Sequence, residues 1–275
     1  MSKKILSLIA CLVIGMLARA ESENPLWMRG GAISPDGSSI AFSYMGNIYT
    51  VPSAGGEAKQ LTTNASYDGH PMWSPDGSML AFCSNREGSL DVFIMSATGG
   101  KAERVTTHSF NEYPAGWLGN DTLLIRRAGN PTVSELTFPG STFTRLYKVA
   151  KSGGRQTLFS AISMDHLSMA SDGRILYNNV KGYEDPWRKH HTSSIARDIY
   201  MKEGGAYKRM TTFAGEDRNP VWAPDGKGYY YLSEKDGTFN VYHSTLGGVS
   251  RQLTSFKGNP VRYLSISSNG LLSFA

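Results

Sequence analysis

Two short stretches concentrate the side chains of this chain best suited to gripping a ligand. Arg126-Arg127 sets two guanidiniums side by side at the end of the apolar run Leu123-Leu124-Ile125. Guanidiniums grip carboxylates through paired hydrogen bonds, so this dipeptide is a candidate clamp for an anionic chain terminus, with a solvated strand end as the plainer reading. The second stretch, at 182–194, holds Trp187, Arg188, Lys189, His190 and His191. An aromatic ring beside two cations and two imidazoles suits a peptide or carboxylate surface. His190-His191 does not read as a metal site, because adjacent side chains diverge and no Cys or third His lies close in sequence. There is no Gly-x-Ser-x-Gly elbow, His-Glu-x-x-His or phosphate-cradling Gly loop. No catalytic residue, metal or cofactor is therefore expected, and both stretches are read as binding surfaces.

The elements that carry these residues follow from a repeat. Ile33-Ser34-Pro35-Asp36-Gly37, Trp73-Ser74-Pro75-Asp76-Gly77 and Trp222-Ala223-Pro224-Asp225-Gly226 are its clearest copies, with weaker ones at 117–121, 169–173 and 266–270. Gly-Gly pairs at 55–56, 99–100, 153–154, 204–205 and 247–248 keep the same phase. A period of about 40–50 residues with several short strands per repeat predicts an all-β propeller of four-stranded blades. The blades are expected at about 27–63, 68–107, 111–159, 164–212 and 217–255, with the first two strands of a sixth at 261–275. With no later Gly-Gly or Leu-Thr, the chain is expected to be cut off in mid-blade.

The recurring Asp residues occupy the same tight turn of successive blades. They are therefore expected to be turn formers spread around the ring, not convergent metal ligands. Arg29, His70, His166, Asn219 and Tyr263 fall near the starts of inner strands and are expected to line a polar central channel. Two blades carry insertions, at 128–141 and 182–194, and insertions in repeat proteins often mark a binding face.

Residues 1–20 read as a signal peptide. Lys3 and Lys4 precede an apolar stretch from Ile5 to Leu17, and Ala18-Arg19-Ala20 forms a small-x-small cleavage site. A lipoprotein box ending at Cys11 is the competing reading, opposed by the short apolar run before it. The apolar run is too short to favour a membrane span, and none is expected in the mature chain 21–275. The leader holds three of the 28 basic residues and none of the 23 acidic ones, so the net charge of +5 falls to +2 without it. That weak excess argues against a nucleic-acid partner. Beyond Cys11 only Cys83 remains, so no intramolecular disulfide can form, and its place in Leu80-Ala81-Phe82-Cys83 marks it as a small buried hydrophobe.

The Trp-Ser-Pro-Asp-Gly and Gly-Gly-x-x-x-x-Leu-Thr pattern resembles the WD40-like repeats of TolB-type and tricorn-type propellers. Together with the leader, Asn24-Pro25-Leu26-Trp27-Met28-Arg29 and the 184–194 insertion, it looks like the N-terminal six-bladed propeller of secreted bacterial tricorn protease homologues. That resemblance implies a secreted serine peptidase of the periplasm or cell envelope, whose catalytic domains lie downstream in the same polypeptide. It also implies a non-catalytic, substrate-gating propeller acting on an oligopeptide or protein substrate, with Arg126-Arg127 matching the family's carboxylate-anchoring arginine pair. Two other readings stand beside it: a stand-alone TolB-like propeller that binds a protein partner, and the propeller of a prolyl-oligopeptidase-type enzyme.

Overall fold

The computed structural model describes residues 27–128, 143–183 and 192–275. Blade 1 consists of β1 (Arg29–Ile33), β2 (Ser39–Tyr44), β3 (Asn47–Pro52) and β4 (Lys59–Gln60). Blade 2 follows with β5 (Asp68–Trp73), β6 (Met79–Glu87), β7 (Ser89–Ser96) and β8 (Glu103–Arg104). Blade 3 is β9 (Glu112–Leu118), β10 (Thr122–Arg127), β11 (Arg145–Ala150) and β12 (Thr157–Ser160). Blade 4 is β13 (Met164–Met169), β14 (Ile175–Asn179), β15 (Ile199–Glu203) and β16 (Ala206–Arg209). Blade 5 is β17 (Asp217–Trp222), β18 (Gly228–Ser233), β19 (Asn240–Thr245) and β20 (Arg251–Gln252). Each blade is an antiparallel meander in chain order. The last sheet has two strands, β21 (Ser265–Ile266) and β22 (Leu272–Ser273). In place of the six complete blades implied by the resemblance, there are thus five and a two-stranded sixth, the count the repeat predicts. Both insertions fall between the second and third strands of their blades.

The inner strands touch in sequence, β1 with β5, β5 with β9, β9 with β13, β13 with β17 and β17 with β21. β21 returns to β1, where the Ile33 amide donates to Ser265 Oγ at 3.0 Å. The ring is closed.

The sequence signatures now have physical reasons. In the first turn Ser34 Oγ donates to Asp36 Oδ1 at 2.5 Å, the Ser38 amide donates to the same oxygen at 3.0 Å, and Gly37 takes φ +79°. Blade 2 repeats this with Ser74, Asp76, Ser78 and Gly77. Hydroxyl and amide donors stabilise the ionised carboxylates and lower Asp36 and Asp76 to about 2. Each Asp serves its own turn, and no cluster able to hold a metal occurs among the described residues.

The threonine of the Leu-Thr signature caps the third strand. The amides of Ile48, Val92, Ile199 and Val241 donate to the hydroxyls of Thr62, Thr106, Thr211 and Thr254 at 2.9–3.1 Å. This explains why the outer strand of blade 2, expected over 101–107, pairs only at Glu103–Arg104. The Val105 and Thr106 amides both turn onto the Val92 carbonyl, at 2.8 and 3.3 Å, ending the ladder.

Apolar cores lie between blades. Leu80 and Phe82 of β6 pack toward blade 1 with Ala41 and Ile48, whereas Ala81 packs toward blade 3 with Leu123 and Ile125. Alternate residues of a strand point to opposite faces, so a strand covered on both faces is apolar throughout. The inter-blade role of the repeat Trp is explicit: Trp73 Nε1 donates to the Ala32 carbonyl and Trp222 Nε1 to that of Ser168, both in the preceding blade. Cys83 is fully buried, and burial pushes its thiol up to about 12, in keeping with a packing role.

Candidate functional site

Each of the five complete blades breaks its inner ladder with a bulge near the start of the inner strand. Pairing shifts between Arg29 and Ala32, Gly69 and Met72, Asp165 and Ser168, and Arg218 and Val221; in blade 3 the step opposite Leu124–Ile125 skips Ala115. At these places His70, His166 and Asn219 adopt φ of 55°, 49° and 52°, and Tyr263 adopts 54° at the matching place of the sixth sheet. A left-handed conformation costs a side-chain-bearing residue about 1–2 kcal/mol. A bulge re-aims the side chain it carries, and here it turns one polar group per blade into a collar around the axis. Blade 1 supplies Gly30, φ +64°, whose missing Cβ would lie 3.3 Å from Pro71 Cδ.

Collar members touch across blades. The His70 ring meets Tyr113 edge-on with centroids 5.5 Å apart, and Asn219 Nδ2 lies 3.1 Å from His166 Nδ1. An amide nitrogen only donates, so His166 Nδ1 is the acceptor and its neutral ring carries the proton on Nε2, 3.7 Å from Asp165 Oδ2.

Asp165 is the electrostatic centre. Arg126 Nη1 of β10 reaches its Oδ1 at 2.9 Å, and Arg197 Nη1, from the segment before β15, reaches its Oδ2 at 3.2 Å. The His166 amide adds a hydrogen bond at 3.0 Å. Burial alone would raise this carboxyl; Arg126, His166 and Arg197 outweigh it and hold Asp165 well below the usual carboxylate range. Burial, aided by Arg197 and Arg126 against the pull of Asp165, holds His166 well below 6.5. Its side chain keeps 39% of its exposure, so water in the channel moderates the shift, and the ring is neutral near pH 7. Burial and the charges of Arg126 and Arg29 lower His70 as well, against the opposite pull of Asp165.

Of the residues singled out in the sequence, Arg126 belongs to this set, its guanidinium also 5.5 Å from the Tyr113 ring centroid. Arg127 points to the other face of β10. Its Nε donates to Gln156 Oε1 at 2.9 Å, Gln156 donates to Glu112 at 2.6 Å, and its guanidinium stacks 3.9 Å over Tyr147. The strand alternation that makes them neighbours in sequence separates their side chains. Trp187, Arg188, Lys189, His190 and His191 lie outside the described residues. Asp165 and Arg197 were missed by sequence reading. Asp165 had one available signal, its place beside a residue already assigned to the channel, whereas Arg197 meets it only through the folded path of blade 4.

The meandering blades, closed ring and polar collar define a WD40-like β-propeller with a lined central channel. Residues 25–272 match the tricorn protease N-terminal beta propeller domain, and the chain belongs to that family. It is 24% identical over 220 residues to tricorn protease homolog 1 of Streptomyces coelicolor, covering 78% of this chain and 20% of that one. The peptidase YuxL of Bacillus subtilis is 24% identical over 207 residues, covering 70% of this chain and 27% of that protein. The chain thus spans about a fifth to a quarter of the length of these relatives. Among solved structures, the tricorn protease superposes with a TM-score of 0.73 at 21% identity, over 90% of this chain and 24% of that one. A TolB-type protein from Agrobacterium tumefaciens superposes with a TM-score of 0.67 at 17% identity, over 90% of both chains.

Proposed function

We propose that this chain is the non-catalytic, substrate-gating propeller of a tricorn-type serine peptidase, and that its channel handles oligopeptides. The observation that carries the reading is the family match over residues 25–272, joined to a channel ringed by hydrogen-bonding and cationic side chains. A peptide presents amides along its length and a carboxylate at one end. The collar offers His70, His166, Asn219 and Tyr113 to the first, and Arg126 to the second. Trp187, Arg188, Lys189, His190 and His191 join this reading as a peptide-contacting insertion on the same blade as Asp165. Catalysis belongs to further domains of the same polypeptide. The leader-like residues 1–20 support export to the periplasm or cell envelope.

The test is a comparison of peptide turnover by the full-length protein and its Arg126→Ala variant. Cleavage of peptides with a free C-terminal carboxylate is expected to fall more than cleavage of their amides. Equal losses on both substrates would remove the carboxylate role.

The second reading, a stand-alone TolB-like propeller that binds a protein partner, draws on the superposition that covers 90% of both chains. The mass of the native protein, captured from envelope extract, separates the two. A species several times larger than 30.0 kDa supports the peptidase, and one near that mass supports the binding module.

A further inference from the structure

Two guanidiniums from adjacent blades converge on a single carboxylate inside the channel. Arg126 and Arg197 approach opposite oxygens of Asp165, at 2.9 and 3.2 Å, and keep 24% and 13% side-chain exposure. The neighbouring His166 is neutral near pH 7, so this group carries one unit of positive charge with no anion to balance it. Arg197 Nε also has no hydrogen-bond partner among the described residues. Groups buried in a low-dielectric surround seek both charge balance and a full set of partners. Arg127, by contrast, is committed to Gln156, Glu112 and Tyr147 on the other face of its strand.

We propose that Arg197, paired with Arg126 across the interface of blades 3 and 4, forms the second half of a seat for a peptide's terminal carboxylate, with Asp165 as the positioning residue that holds the two guanidiniums together. The proposal rests on the peptide-handling reading above and assigns the partner of Arg126 within it. A carboxylate entering beside Asp165 brings the charge of the group to zero. Selectivity for a chain end over an internal peptide unit follows, because an amide cannot supply that charge.

The test is equilibrium binding of dansyl-Ala-Ala-Phe as the free acid and as its C-terminal amide to the full-length protein, with a serine-peptidase inhibitor present. Wild type is expected to prefer the acid. Arg126→Gln and Arg197→Gln are each expected to cut that preference about tenfold or more, the scale of a charged hydrogen bond. Arg127→Gln is expected to preserve it. If Arg197→Gln does not fold, Arg197→Lys keeps the charge without the planar fork and is expected to lose part of the preference. Asp165→Asn adds net positive charge yet is expected to lower the preference, because the guanidiniums are no longer held together. A rise would overturn its positioning role. An acid preference abolished by Arg126→Gln but unchanged in Arg197→Gln, or in a folded Arg197→Lys, overturns this inference and leaves the peptide reading standing. No acid preference in wild type or in any variant removes both.

Discussion

Replacing Asp217 with Asn is expected to flatten the pH dependence of stability. Asp217 opens β17, where its counterpart in blade 2, Asp68, is met by Arg86 at 2.9 Å. Asp217 has hydroxyls instead, from Ser233 and Thr211, with the charge of Lys235 farther off and the like charge of Asp198 opposing ionisation. Its Oδ1 is buried without a partner, and burial is the main cause raising the carboxyl to about 6 from 3.8. The folded state therefore holds this proton more tightly than the unfolded chain does. The stabilisation it provides is complete below pH 3.8 and is lost as pH rises through about 6. A displacement of this size is worth about 3 kcal/mol between the two protonation states. Asn keeps an acceptor for the hydroxyls and cannot ionise. Urea unfolding of wild type and Asp217→Asn at pH 4.5 and 7.5 measures the effect through midpoints at constant m. Relative to wild type, the variant is expected to gain about 2–3 kcal/mol between the two pH values. Parallel pH profiles of the two proteins would refute the reasoning, and so would a wild type that gains on the variant as pH rises.

Other substitutions probe the remaining devices. Thr106→Val leaves the buried Val92 amide without its 2.9 Å acceptor and is expected to cost about 1–3 kcal/mol in denaturant unfolding, with little change at the exposed Thr107→Val. Gly228→Ala would set a Cβ 2.7 Å from the Ser244 carbonyl oxygen, and the overpacking is expected to lower stability by about 1–3 kcal/mol. His70→Val places a β-branched residue at φ 55° and should be less stable than His70→Gly, as read by thermal midpoints of the two variants. Arg127→Ala strands the buried Glu112 and is expected to cost about 3–5 kcal/mol, against a much smaller loss for Arg126→Ala.

Much of the scaffold was legible because its signals are local. Ser34, Asp36 and Gly37 satisfy one another within a single turn, so their spacing is itself the structure. The Leu-Thr signature was visible as a landmark, but its task was not, since Thr106 acts on an amide 14 residues away. Polar residues at inner-strand starts pointed to the channel, yet nothing in the sequence announced that His70 and His166 would sit in a left-handed bulge. The arginine dipeptide misleads for a simple geometric reason: adjacency along a strand sends two side chains to opposite faces. The grouping of Arg126, Asp165 and Arg197 spans two blades and depends on where the path of blade 4 returns. Such a meeting is set by tertiary structure alone.

Because the apolar cores lie between blades, no blade can be completed by its own residues. Blade 1 finishes one flank against blade 2, but its other flank waits for the contact between Ile33 and Ser265, 232 residues later. At a synthesis rate of about 5–20 residues per second, that wait is roughly 10–50 seconds on the ribosome. A half-finished ring presents a sticky flank throughout that interval, and contacts this distant in sequence slow the search for the native state. The architecture that places six inner strands around one channel thus ties the first blade made to the arrival of the last.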